Sequence, residues 1–241
     1  MTSPSSSSLA AAPPKARIPL ILRRLGRTAE RPVHARALDP LDSLILGVLS
    51  QNTTDVNSGR AFSQLRQRFP TWGEVVRARP QQIAAAIRSG GLAEIKSRRI
   101  KDILAQIEED RGQLDLSFLR RLPMTKARDY LVGLSGIGRK TAAVVLLFAL
   151  NKPAFPVDTH VLRVSKRLGL IPPNTTADRA HDIFDELLKG ARGAMSALHL
   201  GLVRHGRTVC IAGRPRCPLC VLFELCPRVG VTLTSQARRQ R

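Results

Sequence analysis

Apolar residues recur at a spacing of three to four along most of the chain, the signature of helices with one buried face. The pattern predicts a first helix over Ile18–Leu25, with Arg23, Arg24 and Arg27 on its wet side. Leu41–Ser50 and Val56–Phe69 follow, separated by a polar cluster, Ser50-Gln51-Asn52-Thr53-Thr54-Asp55, in which Thr54 or Asp55 can cap the second helix. Pro70 and Pro80 punctuate two short helices, at Thr71–Ala78 and Gln81–Ile87. Further helical spacing covers Arg98–Glu109, a short Leu114–Leu122, Met124–Val132, Thr141–Leu150, Val161–Leu168, Ala177–Leu188 and Ala194–His205. No stretch alternates with a period of two, and no unit repeats. The pattern predicts an all-α fold.

Two interruptions of this pattern carry candidate chemistry. The first is Gly90-Gly91-Leu92, where glycines end a helix and an apolar residue follows in the loop. Leu92 either anchors the loop onto the core or forms a wedge inserted between base steps, a device of proteins that distort DNA. The second is Leu134-Ser135-Gly136-Ile137-Gly138-Arg139-Lys140-Thr141, two glycines around one apolar residue between two helices. Gly136 and Gly138 let the backbone approach another molecule and leave amide groups facing an anion at the start of the next helix. Ile137 is the pin of that turn, and Arg139 adds a phosphate contact.

Lys140 lies in the first turn of the second helix, where the dipole disfavours a cation and Arg139 adds repulsion. A lysine kept partly neutral is a nucleophile able to form a Schiff base; the plainer reading is a solvated lysine that touches phosphate. Asp158, in Phe155-Pro156-Val157-Asp158-Thr159-His160, has the setting of an N-cap. The helix after Lys140 rises roughly 15 Å, and the loop that follows spans roughly 23 Å if extended. That length suffices to return the carboxylate to the lysine's end of the helix.

Composition narrows the partners. Of 241 residues, 39 are basic and 18 acidic, a formal charge of +21 that points to a polyanion, with nucleic acid first. Ribosomal or membrane-surface binding would fit charge alone. No apolar run approaches the roughly 18 residues of a bilayer span. The N-terminus lacks a secretory pattern, so a cytoplasmic protein, in a bacterium one on the nucleoid, is expected. Residues 1–14 are low-complexity Ser, Ala and Pro and read as a disordered tail, and 230–241 as a basic tail. All four cysteines, Cys210, Cys217, Cys220 and Cys226, fall in one C-x6-C-x2-C-x5-C loop. The spacing suits a metal site in a reduced compartment, with zinc and an iron–sulfur cubane equally compatible. Arg214 and Arg216 in the loop are candidate phosphate contacts.

The hairpin and the residues after it resemble the helix-hairpin-helix DNA glycosylases, and within them endonuclease III, whose hairpin reads similarly to GIGRKTA and is followed by VDTH. The resemblance runs from about Leu44 to Cys226. It implies that Lys140 is the nucleophile, Asp158 the catalytic aspartate, and Cys210, Cys217, Cys220 and Cys226 the ligands of a [4Fe–4S] cluster. Gln51 and Asn52 would enter the space left by a flipped nucleotide, and Leu92 would be the wedge. It also implies two helical lobes with a DNA cleft between them: 31–152 with the hairpin, and 15–30 plus 153–229 with the cluster. The implied activity is that of a monomeric bifunctional glycosylase and AP lyase acting on oxidised or reduced pyrimidines and abasic sites in double-stranded DNA. Asn52, Ala93 and Glu94 depart from the family's pattern, which leaves a mismatch- or uracil-directed specificity open. A redox-sensing DNA-binding module without catalysis would share the hairpin and the cysteines but not the Lys140–Asp158 pair.

Overall fold

The computed structural model describes residues 10–26 and 38–232. Among them all regular structure is helical, and no helix is long and apolar enough to cross a membrane. The chain divides into two compact units, one of Arg36–Lys152 and one of Met1–Ala35 with Pro153–Arg241. The expected 1–14 tail lies outside the described residues up to position 9. Arg27 and the terminal Arg238, Arg239 and Arg241 lie outside them as well. Pro14 already opens a helix, four residues before the first expected turn, because a proline at the first helical position needs no N–H partner.

In the unit of Arg36–Lys152, the helix Pro40–Leu49 (α2, after α1 at Pro14–Gly26) is its centre. Asp39 caps it by accepting from the amides of Leu41 and Asp42 at 2.9 and 3.4 Å. Leu41, Leu44, Ile45, Val48 and Leu49 are all fully buried, so the helix is apolar on nearly every face and others pack around it. Around it stand α3 (Asp55–Arg68), α4 (Trp72–Arg77), α5 (Pro80–Ala86), α6 (Ala93–Arg111), α7 (Met124–Gly133) and α8 (Arg139–Val144). Thr54 caps α3 through the Asn57 amide, and Thr71 with Glu74 forms a capping box on α4. Beyond Val144 the helix widens into a π-turn, Val145–Ala149, that buries Val145, Leu146 and Leu147.

Two expected boundaries move. The α6 helix starts at Ala93 rather than Arg98, a turn hidden from a hydrophobicity reading because Leu92 and Ile95 there are exposed and Lys96 is buried. The expected helix Leu114–Leu122 is a single 3-10 turn, Ser117–Arg120. Asp115 accepts from the Ser117 amide, which favours a local turn, and Pro123 stops the chain from continuing as α-helix.

The other unit holds α1, α9 (Thr159–Arg167), α10 (Ala177–Leu187) and α11 (Arg192–Thr208), followed by the loop of cysteines. Its core includes Ile21, Phe155, Phe184, Leu198 and Leu202. The α1 and α11 helices meet at Gly201, where a Cβ would come within 3.0 Å of Leu25. Arg17, 3% exposed, ties α1 to the carbonyls of Leu168, Gly169 and Leu225 at 2.6, 2.7 and 3.1 Å. Three carbonyl acceptors offset the cost of burying that guanidinium.

Candidate active site and nucleic-acid interface

The hairpin forms as its glycines require. Gly136 adopts φ +68°, a conformation that strains any residue with a Cβ. A Cβ there would also lie 2.6 Å from Arg99 Cζ. Ile137 is 4% exposed and closes the turn by donating its amide to Leu134 O at 3.1 Å, while Ser135, Gly136 and Gly138 face solvent. Gly138 is the N-cap of α8, whose first turn carries Arg139 and Lys140, both half-buried. The helix is seated by its next residue: Thr141 packs into a notch on α2, where a Cβ on Gly47 would be only 2.8 Å from Thr141 Cγ2. An apolar pin, a notch and two glycines thus hold the lysine at the end of a buried helix beside an exposed row of backbone.

Two more exposed turns lie in the same unit. Gln51 follows α2, and its side chain is held at both ends: Oε1 accepts from Arg99 Nη1 at 2.6 Å, and Nε2 donates to Gly136 O at 3.4 Å. Asn52, exposed and at φ +55°, is the residue of that turn turned to solvent. Leu92 is 51% exposed at φ +51°, next to Gly91 at φ +69°. Half of its surface is open to solvent, which leaves it available for the wedge role. Lys96, one turn later and 2% exposed, donates to Leu49 O and Gly90 O at 2.7 and 2.8 Å. Burial pushes its ammonium pKa down.

Asp158 lies in the other unit as the N-cap of α9, its Oδ1 accepting from the Val161 amide at 2.7 Å. The chain leading to it, Ala154 to Val157, is buried. Two buried histidines hold that segment: His181 Nδ1 is 3.0 Å from Phe155 O, and His199 Nδ1 is 3.0 Å from Pro156 O. A carbonyl only accepts, so both rings carry a proton on Nδ1. Phe155 stacks on Phe184, with centroids 4.4 Å apart, and meets the His199 ring edge-on at 6.0 Å.

The four thiols line one apolar cavity, together with Val164, Arg167, His205 and Arg228. Among the described residues no three of His, Cys, Asp and Glu are grouped tightly enough to hold a single metal ion. Burial pushes the Cys220 thiol up to about 12 and raises Cys226 and Cys217 as well. Cations brace the loop from α9: Arg163 donates to Cys210 O and Gly206 O at 3.1 and 2.8 Å, and Arg167 to Ile211 O and Ala212 O at 2.7 and 2.8 Å. Arg167 Nη1 also lies 3.4 Å from Cys210 Sγ, and His205 Nε2 3.5 Å from Cys220 Sγ. Arg214 and Arg216 are exposed on the same loop.

A hydrophobicity reading missed Arg99, His181, His199, Arg163 and Arg167, all of which act through backbone carbonyls or amides. The histidines had a signal, since each interrupts the apolar face of a helix. The arginines had none, being lost among many.

Comparison with known proteins accounts for this arrangement. Residues 45–189 match the model of the HhH-GPD superfamily of base excision DNA repair proteins. A candidate DNA glycosylase of Arabidopsis thaliana is 46% identical over 58% of this chain, which spans only 47% of that relative's length. Endonuclease III of Sulfolobus acidocaldarius is 34% identical over 76% of this chain and 80% of its own. A solved trapped covalent intermediate of endonuclease III with DNA superposes with a TM-score of 0.72 at 30% identity, covering 89% of this chain and 96% of that one. With the hairpin and the capping aspartate both falling inside residues 45–189, the chain belongs to the HhH-GPD superfamily of base excision repair DNA glycosylases and has endonuclease III among its homologues.

Proposed function

We propose that this chain is a bifunctional DNA glycosylase and AP lyase that removes oxidised or reduced pyrimidines. The observation that carries the reading is Lys140: half-buried in the first turn of α8, directly after a two-glycine turn whose backbone faces solvent. Exposed amides there receive a phosphate, which sets the neighbouring deoxyribose close to the amine. The endonuclease III homologue trapped as a covalent intermediate supports a covalent route.

The target nucleotide leaves the base stack, at a cost that damaged bases lower. Lys140 Nζ attacks C1′ of the sugar. The bond from C1′ to the base breaks, and the base leaves with the electron pair and takes up a proton. The sugar ring opens to an imine between Nζ and C1′. Loss of a proton from C2′ then expels the 3′ phosphate, cleaving the strand by β-elimination. Asp158 offers a carboxylate, already oriented by its cap bond, to stabilise positive charge developing on the sugar and to help deprotonate the amine. Asn52, Leu92, Arg139, Arg214 and Arg216 are the proposed DNA contacts; Gln51, held at both ends of its amide, orients the turn that presents Asn52.

Cys210, Cys217, Cys220 and Cys226 would hold a [4Fe–4S] cluster. The donor set fits. Four half-buried thiols line one cavity, and four thiolates are the usual ligand set of such a cluster. Burial raises the Cys220 and Cys226 thiols, and iron, which deprotonates coordinating thiols outright, would override that effect. The group would brace the loop that carries Arg214 and Arg216.

Borohydride added during turnover on a duplex with an oxidised pyrimidine should reduce the imine and leave protein joined to DNA. The Lys140→Gln variant should give no adduct. An adduct of parental yield from that variant would show that another amine is the nucleophile.

A further inference from the structure

Lys96 is the one long cationic side chain buried in the unit Arg36–Lys152 among the described residues, and the chemistry proposed above does not use it. Its ammonium donates to two main-chain carbonyls that belong to different turns. Leu49 O closes α2 immediately before Ser50, Gln51 and Asn52; Gly90 O precedes Gly91 and Leu92. The turns also touch directly, since a Cβ on Gly90 would lie 3.9 Å from Leu49 O and 3.0 Å from Ala61 Cβ. Each turn carries a non-glycine residue in the left-handed region, Asn52 at φ +55° and Leu92 at φ +51°, and each of those two side chains is exposed. Such backbone strain persists only where the surroundings over-determine it. Burying an ammonium is costly as well, and burial does lower its pKa.

We propose that Lys96 is a positioning residue that locks the Asn52 turn and the Leu92 turn into one rigid jaw, so that the two enter the duplex together when a base is extruded. The inference rests on the reading of Asn52 and Leu92 as DNA-entering residues. Arg99, one turn further along α6, extends the lock by holding Gln51, which holds Gly136. One face of α6 therefore links both inserting turns to the phosphate-gripping hairpin. Without the lock each turn would still reach DNA, but ordering them separately would cost entropy at the moment of insertion.

The test uses the full chain under single-turnover conditions on two duplexes. In one, an oxidised pyrimidine is paired with a purine and must be unstacked; the other holds a preformed abasic site, with no base to extrude. Lys96→Met keeps the length of the side chain and removes both donors, and Lys96→Gln returns one donor group should the methionine variant fold poorly. The expected result for Lys96→Met is a loss of about ten-fold or more on the paired lesion, the scale of an unmade buried hydrogen bond, and under about three-fold on the abasic site. Leu92→Ala should show the same split, and the double variant should lose no more than the worse single one, because both changes disable one device. Lys96→Gln should lie between parent and Lys96→Met. Equal losses on the two duplexes, or multiplying losses in the double variant, would reduce Lys96 to a general packing element and overturn the proposal. Parental rates for Leu92→Ala on both duplexes would instead overturn the reading of Leu92 as an inserting residue, a different failure from that of Lys96.

Discussion

Asp158 is held in place from behind, and that support can be measured. The His199 ring lies on α11 with Nδ1 3.0 Å from Pro156 O, two residues before the aspartate, and its edge faces Phe155 at 6.0 Å. His199→Leu removes the donor while keeping an apolar side chain in the core. The Pro156 carbonyl, in a buried segment, then has lost its partner, at a cost of about 1–3 kcal/mol. The lost edge-on aromatic contact adds about 0.5–1.5 kcal/mol. The sum, about 1.5–4.5 kcal/mol, corresponds to a fall in Tm of roughly 3–18 °C for a protein of this size. Thermal unfolding followed by circular dichroism reads the stability, and borohydride trapping reads the effect on Asp158. Asn at 199 returns a donor and should recover part of both. If His199→Leu unfolds within about 0.5 kcal/mol of the parent, as an inert surface change would, the hydrogen bond to Pro156 does not hold the segment and the reasoning fails. His181 holds the adjacent carbonyl, so the double variant with His181→Leu should fall short of additive.

Other outcomes follow from the same geometry. Asp158→Asn keeps an N-cap acceptor but loses the charge, so unfolding should stay within about 0.5 kcal/mol of the parent while the trapping rate drops by about 10²-fold or more. Asp158→Ala should in addition lose about 1 kcal/mol of stability. Gly136→Ala forces a Cβ into the left-handed region and against the Arg99 guanidinium, so it should cost about 1–2 kcal/mol and weaken binding to abasic-site DNA in a fluorescence anisotropy titration. Cys220→Ala should abolish the visible iron–sulfur absorbance of the purified protein; unchanged absorbance would remove Cys220 from the ligand set. Tyr130, the chain's sole tyrosine, has its pKa raised to about 12 by burial, with the Asp110 charge adding to the shift. A raised phenol is neutral in the fold, so its contribution to stability is whole below pH 10 and is lost as pH climbs from 10 towards 12. Absorbance at the phenolate band should rise near pH 12 in the native protein and near pH 10 when denatured; a native midpoint near 10 would contradict its burial.

Much of the architecture was legible because helices announce themselves locally. A buried stripe at helical spacing, Pro40 at a first turn, Thr54 and Asp158 as caps and Gly136 where φ is positive are decisions made within a few residues. Where a helix start had no apolar stripe, as at Ala93, its beginning was invisible, and where Asp115 and Pro123 competed for the backbone, an apparent helix shrank to one turn. The cysteine spacing announced a shared site, and the four side chains do line one cavity.

The residues that hold the candidate site could not be read in the same way. Lys96, His181 and His199 act on main-chain carbonyls far from them in the chain. Any backbone offers the same carbonyl, so no residue type at the receiving end betrays the pairing. By itself the sequence determined an all-helical, strongly basic chain with a two-glycine hairpin, a lysine, a capping aspartate and four clustered cysteines, since each depends on side-chain chemistry and short-range spacing. Only the tertiary structure decided which buried cation or imidazole meets which main-chain oxygen, because that is settled by how helices pack once the core closes.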